Sequence, residues 1–179
     1  MDHSDFVVYL NKLPPEGIEL EFEVDDPAKA GIALDVPLAG PIHARFDVQR
    51  LGGEIGVAGS VRAVVRLECS RCLTPFDFPV DADVEVTFVP PGAVAPDGEH
   101  QHELSADELE VEPLVQGGAD LRGVIAEQIH LALPLKPLCS EDCRGVCPRC
   151  GKDVAGGPCG CAPPPGDPRW EALKKLTVP

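Results

Sequence analysis

Residues 42–72, IHARFDVQRLGGEIGVAGSVRAVVRLECSRC, hold two long strand-like runs, a Gly52-Gly53 turn between them, and a CxxC pair at the end. In the second run Val61, Ala63, Val65 and Leu67 alternate with Arg62, Arg66 and Glu68, with Val64 intruding on the polar side. A period of two marks a strand with one buried face. Gly56 and Gly59 predict a bend or bulge in a long curved strand. Downstream, Phe78, Val80, Ala82, Val84, Val86 and Phe88 fall in phase over residues 76–90, the returning strand. Cys69 and Cys72 therefore sit at the tip of an antiparallel hairpin that a metal ion could hold.

The same reading extends in both directions. Phe6 to Leu10 is a short apolar strand ended by Pro14-Pro15, and ELEFEV at 19–24 places Leu20, Phe22 and Val24 opposite Glu19, Glu21 and Glu23. Residues 28–40 fit a short helix or a loop followed by an edge segment. Residues 90–104 read as loop; 105–112 fit either a helical turn or a strand over Leu109 to Glu112. Asp120 caps a helix over 121–133, LRGVIAEQIHLAL, with Leu121, Ile125, Ile129 and Leu133 on one stripe and Pro134 and Pro137 beyond its end. The expected fold is α+β: a strand-rich antiparallel sheet or partly open barrel, one principal helix and a zinc-stapled C-terminal region. Its parts are a β-rich body at 1–138, a cysteine-rich region at 139–161 tied to the body through Cys69 and Cys72, and a linker with a short terminal helix at 162–179. A chain of 179 residues buries about two-thirds of its unfolded surface, so metal need not replace a missing core.

Six of the eight cysteines lie between Cys139 and Cys161. Cys147-Pro148-Arg149-Cys150-Gly151 is a zinc knuckle by its chemistry, because the turn aims two thiolates and several backbone N–H groups at one point. Eight thiolates suffice for two sites of four, and a site filled by four thiolates leaves no position for a reacting water. Structural zinc is the expected role, with iron the alternative. Spacing leaves the grouping open: Cys139 and Cys143 could join Cys69 and Cys72, or Cys147 and Cys150.

The formal charge is −15, but it is unevenly spread. Residues 81–120 hold eleven carboxylates and no Lys or Arg, whereas 136–179 carry seven Lys/Arg against five Asp/Glu. Candidate RNA-binding cations are Arg62, Arg66, Arg71, Lys136, Arg144, Arg149 and Lys152, near the expected metal sites. Asp167 caps a short helix in which Trp170, Leu173 and Leu176 share a face that could pack on the body or dock a protein. The N-terminus lacks a signal-peptide pattern and no stretch reaches transmembrane length, which implies a cytoplasmic chain, no membrane partner and thiols kept reduced. The histidines form no HExxH or catalytic triad, and phosphate-loop and dinucleotide-binding glycine patterns are absent, so neither an enzyme nor a small-molecule substrate is expected.

LECSRCLTPF after a long strand, a helix leading into LALPLKPLCSEDCRGVCPRCG, the CGC pair and DPRWEALKKL together resemble the YceD/DUF177 family over residues 42–176. The resemblance implies a metal-binding factor for large-subunit ribosomal RNA accumulation or processing that contacts nucleic acid. The competing expectation, read from charge, is a zinc-stabilised adaptor that uses the acidic 81–120 segment or the Trp170 helix to bind a basic ribosomal protein or a processing enzyme. It also implies a grouping of the ligands: Cys69, Cys72, Cys139 and Cys143 in one site, and Cys147, Cys150, Cys159 and Cys161 in the other. Ala155-Gly156 departs from the family pattern, which often has Asn before the last cysteines.

Overall fold

The computed structural model describes residues 6–91, 111–154 and 157–162. Its centre is a five-stranded open sheet in the order β2 (Ile18–Val24), β3 (Ile42–Leu51), β4 (Glu54–Glu68), β5 (Pro75–Val89) and β6 (Val111–Pro113). The first four form an antiparallel meander. Alternation decides which side is buried: Ile42, Ala44, Phe46 and Val48 of β3 and Ile55, Val57, Val61, Ala63 and Val65 of β4 all enter one core. Across that core lies α2 (Leu121–Leu131), which buries Leu121, Val124, Ile125 and Ile129 and packs on β4 and β5. Phe6 stacks on Phe22 at 4.5 Å between ring centroids, closing the core beyond β2.

The expectation of an antiparallel sheet holds for the meander and fails at one edge. β6 runs parallel to β5, with Thr87, Phe88 and Val89 opposite Val111, Glu112 and Pro113. A tight hairpin would have forced an antiparallel partner, but the long connection between Val89 and Val111 returns the chain in the same direction. The edges do not meet, so the sheet stays open rather than closing into a barrel.

No bulge occurs at Gly56 or Gly59. Registers of β4 with both neighbours run unbroken through these residues. Gly59 instead permits close approach: a Cβ there would fall on the Arg45 carbonyl oxygen and within 2.9 Å of the Phe46 Cα. The missing side chain lets β3 press onto β4 where Phe46 is fully buried.

Other local expectations are resolved by capping and pairing. Asp26 and Pro27 start a one-turn helix, α1 (Pro27–Ala30), and Gly31 ends it with φ 76°. Residues 37–39 then bind β4 past the start of β3, through the Arg66 amide to the Pro37 carbonyl at 2.8 Å and the Ala39 amide to the Val64 carbonyl at 2.7 Å. Before the Asp120 cap of α2, β7 (Gly118–Asp120) pairs with β1 (Val7–Tyr9), a strand pair that its short, glycine-flanked sequence conceals. α2 itself ends at Leu131, earlier than its apolar stripe implies, because Leu133 donates to the His130 carbonyl in a tightened last turn ahead of Pro134. The terminal helix expected after Asp167 lies outside the described residues.

Candidate metal centre

The tip of the β4–β5 hairpin is a six-residue turn whose ends are tied by the Cys69 amide to the Thr74 carbonyl at 3.0 Å. Within it the Leu73 amide bonds the Cys69 carbonyl at 2.8 Å, and Leu73 takes φ 61°. The same turn recurs downstream: Cys147 donates to the Lys152 carbonyl at 2.8 Å, Gly151 donates to the Cys147 carbonyl at 2.9 Å, and Gly151 has φ 69°. Both CxxC sequences thus fold into one knuckle design, with a left-handed residue directly after the second cysteine.

Each knuckle meets a second pair of thiols. Cys69, Cys72, Cys139 and Cys143 converge, as do Cys147, Cys150, Cys159 and Cys161, with all four sulfurs of each group within 4.8 Å of one another. In the first group the Cys69–Cys143 and Cys72–Cys139 Sγ separations are both 3.7 Å. Four thiolates about 2.3 Å from one tetrahedral ion stand about 3.8 Å apart along each edge, so the spacing fits a single ion and far exceeds a disulfide bond. Either group of four could hold one metal ion.

Electrostatics within each group call for a cation. Backbone N–H groups of Cys139, Cys72 and Arg71 point at the Cys69 sulfur and hold its pKa down to about 6. The neighbouring Cys69 and Cys72 sulfurs push the Cys139 thiol up to about 12. The second group repeats the contrast: amides of Cys150 and Arg149 bring Cys147 down to about 6, while the sulfurs of Cys159 and Cys150 drive Cys161 up to about 12. The first thiolate forms readily and the last resists, because negative charge accumulates in a confined space. A bound dication removes that resistance.

The two centres differ in what they connect. The first joins the hairpin tip to the segment after α2, and Cys69, Cys72 and Cys143 are buried with Phe76 and Leu138 packed against them. Ser70 donates to the Pro137 carbonyl at 2.8 Å, and the Arg71 guanidinium donates to the carbonyls of Glu141 at 3.1 Å and Cys143 at 2.7 Å. Gly145, with φ 75°, completes the fit, since a Cβ there would lie 2.8 Å from the Arg71 carbonyl oxygen. The second centre is local to residues 147–161, with Cys150 and Cys161 exposed.

The sequence-derived cation set divides accordingly. Arg62 pairs with Asp81 at 3.0 Å and Arg66 with Asp77 at 2.9 Å, each across the β4–β5 register. Arg71 braces the first centre, a positioning role that sequence reading missed although an arginine inside a CxxC was its signal. Lys136, Arg144, Arg149 and Lys152 are exposed and form no ion pair among the described residues. Trp170, Leu173 and Leu176 lie outside the described residues. His130 is structural: its Nε2 accepts from the Asp35 amide at 3.4 Å.

Leu73 offers a test of the knuckle. It is 67% exposed, so little packing offsets its left-handed backbone, which costs an ordinary L-residue about 1 kcal/mol. Leu73→Gly, matching Gly151, is expected to raise stability by about 0.5 kcal/mol after the added chain entropy of glycine is counted. Equilibrium denaturation of the metal-loaded protein reads this directly, and a destabilised variant would refute the strain assignment.

An open sheet covered by one helix, with four thiols converging at its hairpin tip, defines a small α+β protein with two candidate metal centres. The chain belongs to the family of the large ribosomal RNA subunit accumulation protein YceD, whose family model matches residues 57–177. A Mycobacterium tuberculosis protein named only as uncharacterised is 29% identical over 174 residues, covering 97% of this chain and 80% of its own length. A similarly named Mycobacterium leprae protein is 30% identical over 171 residues, covering 95% of this chain and 75% of its own. The chloroplastic YCED homolog 1 of Arabidopsis thaliana is 26% identical, covering 79% of this chain and 50% of the plant protein. No solved structure matches the chain. Among the described residues no helix is long and apolar enough to cross a membrane.

Proposed function

We propose that this chain is a non-enzymatic cytoplasmic factor, carrying two structural zinc ions, that promotes large-subunit ribosomal RNA accumulation by touching the RNA through its C-terminal metal-bearing module. The family name supplies the RNA. The observation that carries the contact surface is the different condition of the cations: Arg62 and Arg66 are neutralised by aspartates, whereas Lys136, Arg144, Arg149 and Lys152 form no ion pair among the described residues around the thiol centres. Free cations beside rigid turns suit phosphate and stacked bases. Zinc supplies charge neutralisation and a fixed tetrahedral geometry; the all-sulfur sets leave it no open coordination position. The compact sulfur groups favour one ion each over a cluster of several irons. In this organisation residues 1–138 are the supporting body and 139–161 the contact module.

RNA crosslinking in native complexes, mapped by mass spectrometry, tests the reading. Crosslinks are expected at residues 136–152. Arg144→Glu with Arg149→Glu should weaken RNA binding at least about 10-fold and lower the salt slope by about 1.4–2, while Arg62→Glu with Arg66→Glu should leave binding nearly unchanged. Recovery of ribosomal protein or a processing enzyme without RNA crosslinks would replace direct contact with an adaptor role.

A further inference from the structure

The sheet has a long edge that the described strands leave open. β6 meets β5 only at Thr87–Val89, and upstream of Thr87 no described strand lies beside β5 on that side. Val89 turns its carbonyl to this side, where it accepts from the Leu114 amide at 2.8 Å. Backbone groups alternate in direction along a strand, so Glu85 and Asp83 present theirs to the same edge. Such an edge is a template for another strand.

Beside it runs a groove of about 510 Å³ bounded by β5, β6 and α2. Val84 and Val86 of β5, Val111 of β6 and Leu131 of α2 give it an apolar surface; Leu131 is 70% exposed. Asp83, Glu85, Glu112 and Glu127 also line it, and among the described residues no lysine or arginine does. The register explains the excess charge. Farther up β5, Asp77 and Asp81 stand opposite Arg66 and Arg62, which neutralise them, whereas Asp83 and Glu85 stand opposite Ser60 and Ala58. None of the four groove carboxylates has a cationic partner among the described residues.

We propose that this groove binds an extended basic peptide of a partner protein, which adds a strand to β5 upstream of β6. An added strand sends alternate side chains to opposite faces. One set would meet Val84, Val86 and Leu131, and the other would meet Asp83 and Glu85, so the fitting segment alternates apolar residues with Lys or Arg. RNA suits this surface poorly, since four uncompensated carboxylates repel phosphate. The groove is separate from the metal-bearing module and does not depend on its RNA contact.

The test is an NMR titration of the metal-loaded full chain with the acetylated, amidated peptide VKVRVKV and its acidic counterpart VEVEVEV. The basic peptide should shift the amides of Asp83–Val86, Val111, Glu112 and Glu127–Leu131 saturably, and less at high salt. Glu85→Lys with Glu127→Lys, both at exposed positions, should cut affinity at least about 10-fold, the product of two lost charge contacts, without altering core resonances. Arg144→Glu with Arg149→Glu should leave peptide binding unchanged, which separates this site from the RNA surface. The proposal is overturned by equal binding of the acidic peptide, by undiminished binding to the doubly reversed variant, or by displacement of the peptide by a single-stranded RNA. It is equally overturned if the groove amides do not move.

Discussion

Cys69→Ser is expected to remove one of the two proposed metal ions and to lower the thermal midpoint by roughly 10 °C. Cys69 is fully buried, its sulfur receives three backbone N–H groups, and its partner Cys143 lies across the hairpin-to-loop junction. Serine retains a hydroxyl but not a thiolate, and three remaining sulfurs hold zinc less well. Structural zinc contributes apparent free energies of about 10–16 kcal/mol, so losing about 4 kcal/mol through a weakened site is a modest share. For a chain of this size that loss corresponds to about 8–16 °C. Cys159→Ser should also cost one ion yet shift the midpoint by less than about 3 °C, because its centre closes only residues 147–161 and does not fasten the sheet. Native mass spectrometry counts the ions and calorimetry reads the midpoints. Equal thermal losses in the two variants would contradict the division into a fold-fastening centre and a local one.

Gly59→Ala is the second large effect expected, a destabilisation of about 3 kcal/mol. Its new methyl group meets the Arg45 carbonyl and the Phe46 Cα, both backbone, so no side-chain rotation relieves the clash. Overpacked substitutions cost about 1–3 kcal/mol, and a backbone obstacle belongs at the upper end. Gly53→Ala, with open space around the added carbon, should change stability by less than about 0.5 kcal/mol. Denaturant unfolding of the two variants side by side separates close approach from a general glycine effect. A Gly59→Ala protein as stable as Gly53→Ala would show that β3 and β4 can separate there without cost.

Much of the body is legible in residue order because its signals are local. The strict alternation in residues 42–68 places the core face of two strands, Asp120 starts the helix, and Gly52-Gly53 turns the hairpin. Where two local signals conflicted, the outcome depended on neighbours. Val64 breaks the polar side of β4, yet its carbonyl accepts from the Ala39 amide and the Arg66 amide donates to the Pro37 carbonyl, so residues 37–39 pair with the strand around Val65. Gly59 reads as a bulge in isolation and proves to be a point of close contact. β6 could not be assigned a direction from its three residues, since direction depends on the route by which the chain returns to β5.

The sequence by itself determined that this is a strand-rich chain with a capped helix, two knuckle turns and thiols for two metal ions. Those features arise from periods, caps and chelate pairs set by residues a few positions apart. Only the tertiary structure decided that Cys72 and Cys139, 67 residues apart, come within 3.7 Å, that Arg62 and Arg66 are neutralised by β5, and that Asp83 and Glu85 meet no cation among the described residues. Each depends on strand register and on closure over a long stretch of chain, where a shift of one residue moves every side chain to the opposite face and changes which charges meet.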